Sequence, residues 1–168
     1  ASLNEGAASK VVLARDIVVS SDTPIDERFL ASRLRQLYPS TWVFAVNGLI
    51  GATPEMLAAL DSGIVTSRVL AGTAAPTDGA DLFSSMKNRT EHHFAVESVA
   101  RALAPLAESL DVPTEPFLLQ LPNVVHLATE VTAHVPGANV LDIVGALHPT
   151  AAVCGTPTKL AFDLLERL

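Results

Sequence analysis

Four side chains in this 168-residue sequence have the chemistry of an acid–base site. Lys10 opens the apolar run Val11-Val12-Leu13. A dry surrounding would push such a lysine toward its neutral form and make it a general base; at an open strand end the same ammonium simply reaches solvent. Glu55 follows Gly51-Ala52-Thr53-Pro54, so a tight turn delivers a carboxyl group to the head of a strand, as a site acid or as an exposed strand-end charge. Glu91 begins a four-residue series with Ala95, Val99 and Leu103, which predicts that its carboxylate continues an apolar helix face into the interior. A buried carboxylate needs a lysine, another cation or a metal, so a structural ion pair and a metal ligand both satisfy the pattern. His126, inside Asn123-Val124-Val125-His126-Leu127, is either a hydrogen-bonded core histidine or part of a pocket. His92 and His93 are adjacent and diverge by about 100° on a helix, so they cannot chelate one ion together. No nucleophile triad order, phosphate loop, dinucleotide glycine fingerprint or zinc spacing is present. The residues alone lead to an acid–base site with a lysine, two glutamates and room for a divalent metal.

The elements that must position these groups read as a mixture of strands and helices. Residues 10–20 are rich in β-branched types without strict alternation, the pattern of a strand covered on both faces. Asp22-Thr23-Pro24 announces a helix carrying Ile25, Phe29, Leu30, Leu34 and Leu37, which Pro39 ends. Residues 41–47 predict a strand, followed by a turn-prone GLIGATPE. Asp61-Ser62-Gly63 joins 56–60 and 64–70 as a hairpin. The small and polar residues 71–80 read as a loop before a long helix from about Asp81 to Leu110, its stripe running through Ala95, Val99, Leu103, Leu106 and Leu110, with a kink at Pro105. Residues 117–121 and 124–135 predict two more strands, Val140–Leu147 a helix capped by Asn139, and 158–168 a last helix. Strand runs outnumber crossover helices, so the expected class is α+β: a large, mostly antiparallel sheet with helices packed on it.

Composition sets the outer limits. Hydrophobic residues make up 49% and charged residues 17%, which suits one packed domain and excludes a disordered chain. A net charge of −7 argues against a nucleic-acid backbone as partner. The single Cys154 excludes an internal disulfide and a cysteine-cage zinc site. No apolar run approaches the ~18 residues of a membrane span, and ASLNEG has neither the basic nor the apolar region of a secretory signal. The expectation is a cytoplasmic protein without nucleic-acid or membrane partners. The last helix stops at ERL without a terminating glycine, the mark of an internal piece of a longer chain.

The loop LHPTAAVCGTP, residues 147–157, is too rich in proline and glycine for a helix or central strand, yet places alanines where a site-lining loop would offer polar groups. With SKVVLAR, GLIGATPEML, RVLAGTAAP, KNRTEHHFAVESV and LPNVVHLATEV it completes six ordered motifs that resemble the chorismate-utilising enzymes. That family comprises anthranilate, aminodeoxychorismate, salicylate and isochorismate synthases, and the sequence is most similar to the last. The resemblance covers nearly the whole chain as a partial chorismate-binding catalytic domain, residues 1–168.

The resemblance implies the following roles. Lys10 matches the base that activates the attacking water, and Glu55 the acid that protonates the departing hydroxyl. Glu91 matches a ligand of the magnesium ion that holds the ring carboxylate. Leu70, Ala71, Gly72, Thr73 and His126 match residues lining the substrate pocket. The implied reaction is chorismate to isochorismate, feeding menaquinone or siderophore synthesis. Ala152 matches a position where relatives that use ammonia or eliminate pyruvate hold threonine; alanine there favours isochorismate synthase over salicylate synthase, the alternative within the family. Asn88 stands where some relatives carry an acid. The second magnesium glutamate of the family falls in a downstream segment that this sequence lacks, so an isolated chain is expected to be inactive and to associate with itself through exposed core edges, whereas the parent enzyme is expected to be a monomer.

Overall fold

The computed structural model describes residues 8–167; Leu168 and the ASLNEG segment lie outside the described residues. Its centre is a five-stranded antiparallel sheet. β4 (Met56–Asp61) and β5 (Ile64–Ala74) form the hairpin predicted around Ser62-Gly63, whose backbones take φ of 50° and 81°. That left-handed pair matches the right-handed twist of a tight hairpin. β5 then pairs along its length with β8 (Val125–His134). The other edge of β8 is shared by two short strands, β6 (Ser109–Asp111) and β7 (Phe117–Gln120).

Period-two burial gives this sheet one covered face. Val65, Ser67 and Val69 of β5, with Val125, Leu127, Thr129, Val131 and Ala133 of β8, are buried in alternation. Against them packs α3 (Met86–Leu103), whose Ala95, Val96, Val99 and Leu103 join Ile143 and Leu147 of α4 (Val140–Leu147) in the main cluster. Asn139 caps α4 through the Leu141 and Asp142 N–H groups, and Asp142 returns the bond to the Asn139 N–H. α2 (Gly79–Ser84), after a 3-10 turn at Pro76–Asp78, covers a smaller cluster of Leu82, Val125 and Leu127. A second unit packs α1 (Glu27–Leu37) on the hairpin of β2 (Trp42–Val46) and β3 (Leu49–Thr53). β1 (Lys10–Val11) pairs with β9 (Gly155–Thr156), beside α5 (Thr158–Leu165). The α+β class with an antiparallel sheet is therefore the observed one.

Several local expectations are corrected. Only Lys10–Val11 of the predicted strand 10–20 pairs with another strand; Leu13 and Ile17–Val19 are exposed, because no described strand lies beside them. α1 starts later than expected, since the Asp26 carboxylate, not the Asp22-Thr23 pair, accepts from the Arg28 N–H. None of the α1 residues is buried, and Phe29 is 62% exposed. The predicted turn at 48–55 contains β3: the tight turn is Asn47-Gly48, with φ of 48° and 85°. Residues 71–74 of the predicted loop 71–80 belong to β5. The long helix breaks at Ser85, whose extended backbone ends α2 and whose hydroxyl caps α3. Pro105 ends the helical region rather than kinking it, so Ser109–Asp111 becomes β6 and Leu106 is exposed.

Candidate active site

Lys10 and Glu55 lie 45 residues apart in the sequence and are seated by two different devices. Lys10 sits directly across the β1–β9 ladder from Thr156, and its neighbours hold the register: Ser9 N–H donates to the Thr156 carbonyl and Val12 N–H to that of Cys154, both at 2.9 Å. Gly155 makes this approach possible. Its φ is +146°, and a methyl group on it would fall 2.2 Å from the Lys10 carbonyl oxygen. The 147–157 loop thus brings a backbone edge against Lys10. Glu55 is set by Thr53, whose hydroxyl accepts from the Glu55 N–H at 3.1 Å, a local turn that restrains the carboxylate-bearing residue before β4 begins.

The two groups share an electrostatic environment. Burial pushes the Lys10 ammonium below its usual pKa, and Glu91 and Glu55 both oppose that shift without cancelling it. Burial likewise pushes the Glu55 carboxyl up, against the Leu70 N–H turned toward it and the Lys10 charge. Lys10 is thus close enough to feel the charges of both glutamates. A lysine eased toward deprotonation beside a glutamate eased toward protonation is the pairing that acid–base chemistry near neutral pH requires.

Glu91 corrects one expectation. Its side chain is 42% exposed, and its carboxylate lies 3.9 Å from Lys87 Nζ one turn away rather than in the interior. Residues eleven apart on a helix differ by about 20° in direction and residues twelve apart by about 120°, so the stripe through Leu103 leads back to His92 and not to Glu91. His92 is 3% exposed. Its Nδ1 lies 3.1 Å from the Ala71 carbonyl and its Nε2 lies 2.8 Å from the Thr129 hydroxyl. Burial, with Lys10 nearby, holds it below the usual histidine pKa although the Ala71 bond opposes this. Adjacent histidines hid this residue at the level of sequence, because chelation was the only joint role their spacing could test; the signal that finds it is its place on the stripe.

Leu70-Ala71-Gly72-Thr73 forms a β-bulge. Leu70 pairs with Ala128 and Thr73 with His126, leaving one extra residue on β5, with Gly72 at φ +85°. The Thr73 hydroxyl meets His126 Nδ1 at 2.9 Å. Burial lowers the His126 pKa, opposed by a hydrogen bond with the Gly72 backbone. A cleft of about 220 Å³ is lined by Glu55, Ser67, Arg68, His148 and Thr150 among others. A second of about 330 Å³ is lined by Pro54, Tyr38, Asn123 and His126 among others. The Thr53-Pro54-Glu55 turn stands between them. Arg68, at the edge of the first, is committed to Glu130 at 2.9 Å and lies over the Trp42 ring. Ala152 is half-buried and packs on the main cluster, while Thr150 and Val153 of the same loop reach the Glu55 cleft.

Magnesium takes hard oxygen ligands, commonly one or two carboxylates completed by water and substrate oxygens. Glu91 has that chemistry and is open enough to admit waters. Among the described residues no three His, Cys, Asp or Glu side chains converge. This part of the chain therefore offers a magnesium ion one carboxylate and no closed cage. No helix among the described residues is long and apolar enough to cross a membrane.

A family model described as "Chorismate binding enzyme" matches residues 1–168. A Mycobacterium tuberculosis protein provisionally named isochorismate synthase MenF is 36% identical over 185 aligned residues, covering 98% of this chain and 50% of that protein. Isochorismate synthase DhbC of Bacillus subtilis is 34% identical, with 98% of this chain and 47% of that protein covered. A Bacillus anthracis crystal structure, provisionally named a 2,3-dihydroxybenzoate-specific isochorismate synthase, matches with a TM-score of 0.82 at 34% identity, covering 87% of this chain and 44% of that one. The chain spans about half the length of the curated relatives it matches.

Proposed function

Because the chain belongs to the chorismate-binding enzyme family, we propose that the protein it forms converts chorismate to isochorismate. The observation that carries this reading is the opposed displacement of Lys10 and Glu55, both caused first by burial. The names of its relatives support the same reaction class.

In the proposed reaction Lys10 takes a proton from a water as its oxygen bonds to one ring carbon. The ring double bonds shift, and the hydroxyl two carbons away leaves as water with the proton of Glu55. One water enters and one departs, so the product is an isomer. Lys10 ends protonated and Glu55 ionised; return of the proton resets both. Each such proton transfer contributes about 10²–10⁴-fold to the rate. The bulge at Ala71-Gly72 and the His126–Thr73 pair would flank the ring. Glu91 would hold a magnesium ion, which when bound neutralises a substrate carboxylate.

The test uses the full-length protein with chorismate and magnesium, its products resolved by chromatography. Isochorismate is the expected product. Salicylate would move the protein to the pyruvate-eliminating branch of the family, aminated products to the ammonia-using branch, and no turnover would refute the proposal. A direct magnesium titration of wild type and Glu91→Gln, read by calorimetry with a non-reacting chorismate analogue bound, tests the metal role without turnover: equal affinities would remove Glu91 from the site.

A further inference from the structure

His92 has no part in the reaction just described, yet it is the only buried histidine among the described residues. It ties together three elements. A carbonyl oxygen can only accept, so Nδ1 carries the proton and donates to Ala71 of β5; Nε2 then accepts from the Thr129 hydroxyl of β8. Both ring nitrogens of this α3 side chain are used, which fixes one neutral tautomer and one ring orientation.

The carbonyl it holds is not an ordinary ladder carbonyl. Ala71 lies in the β5 bulge, where pairing with β8 skips a residue, and the following Gly72 takes a left-handed φ of +85°. At this irregular point of the ladder the imidazole gives the Ala71 carbonyl a side-chain donor. Two residues before Ala71, Val69 lines the same cleft as Glu55, and the Leu70 N–H between them is turned toward the Glu55 carboxyl. One short stretch of backbone is therefore gripped by His92 on one side and faces Glu55 on the other.

We propose that His92 is a positioning residue, fixing the Ala71 carbonyl and through the Leu70–Ala71 segment the place of the Glu55 carboxyl. The proposal rests on the reading of Glu55 as the acid. It separates the roles of the two adjacent histidines: His92 faces inward as a clamp, and His93 is exposed.

Three variants of the full-length protein test it. Asparagine places its amide nitrogen as many bonds from the backbone as Nδ1, so His92→Asn keeps the Ala71 bond and gives up Thr129. His92→Gln reaches like Nε2, keeping Thr129 and giving up Ala71. His92→Phe keeps only the volume. With chorismate and magnesium, Gln and Phe are expected to lower kcat about 100-fold with KM within about threefold of wild type, and Asn to restore most of it, because misplacement near 1 Å costs about that much. Amide hydrogen exchange at Leu70–Thr73, measured without substrate, is expected to quicken in Gln and Phe and to recover in Asn. Equal activity of Gln and Asn, or a loss confined to KM, would overturn the positioning role. Unchanged exchange in His92→Phe would overturn the clamp itself. If the wild type makes no isochorismate, the functional reading falls, and the exchange measurement still decides whether His92 holds the bulge.

Discussion

Gly155→Ala adds one methyl group at the point where the 147–157 loop meets Lys10. The new carbon would lie 2.2 Å from the Lys10 carbonyl oxygen and 2.7 Å from the Ala161 Cβ. Comfortable contacts between carbon atoms are about 3.5–4.0 Å, so β1 and α5 must both retreat, β1 by about 1 Å. The backbone at φ +146° adds strain of about 1–3 kcal/mol for any residue with a side chain. Retreat of β1 strains two bonds of 2.9 Å, from Ser9 to Thr156 and from Val12 to Cys154. At about 0.5–1.5 kcal/mol each, they bring the destabilisation to about 2–6 kcal/mol. Catalysis should suffer as well, since a 1 Å displacement of the base costs about 10²-fold in rate. The assay is a urea titration of the full-length variant together with initial rates of isochorismate formation. Gly145→Ala is the control: it lies in α4 with nothing within 4 Å of the added carbon, so it should be neutral or stabilising by up to about 1 kcal/mol. Gly155→Ala with unchanged midpoint and unchanged rate would refute the claim that this glycine seats Lys10.

Glu55→Gln should cost about 10²–10⁴-fold in turnover. Its stability effect has a definite sign. Burial raises the folded-state pKa of Glu55 above 4.5, so the native state binds the extra proton between 4.5 and the raised value, and wild-type stability falls as pH rises through that window. Urea midpoints should therefore favour Gln over Glu at pH 7 by a margin that shrinks to nothing below pH 4.5; a margin independent of pH would contradict burial as the cause. Leu103→Ala removes a fully buried side chain from the main cluster and should lower the unfolding free energy by about 2–5 kcal/mol in the same titration. Ala152→Thr puts a hydroxyl on a half-buried position of the loop beside the Glu55 cleft. If alanine there keeps the reaction from proceeding to pyruvate loss, chromatography should show salicylate appearing beside isochorismate, and an unchanged product ratio would dismiss the idea.

What the sequence disclosed follows the range of the forces involved. The Asp61-Ser62-Gly63 hairpin and the Asn139 cap are decided within a few residues, and both are found where their local chemistry predicts. Residues 10–20 are rich in β-branched types, but a strand needs a partner at its edge, and beyond the Val12–Cys154 hydrogen bond none of the described residues continues the ladder. The break at Ser85 is not legible in the sequence because the apolar spacing runs through it, while the backbone there is settled by a cap worth little against a hydrophobic stripe. For the site, Lys10 and Glu55 stood out by residue type and flanks, whereas their mutual field depends on pairing between distant segments that periodicity cannot reveal. A step of four points Glu91 inward, but the helix turns in 3.6, a difference that accumulates to a third of a turn over three steps. The same arithmetic, carried one residue further, would have found His92.

The ladder between β1 and β9 is two residue pairs long, yet it joins Lys10 to Thr156 across nearly the whole described chain. Long-range closures of this kind are entropically late, forming after hairpins and helices have condensed. With so few bonds holding it, this ladder is also the natural first step of partial opening. The proposed base is thus mounted on a two-pair ladder, while the acid stands at the head of β4 in the five-stranded sheet. A molecule built this way can lose its chemistry while its sheet and helices persist, so catalytic competence becomes a separate, shallower equilibrium than folding.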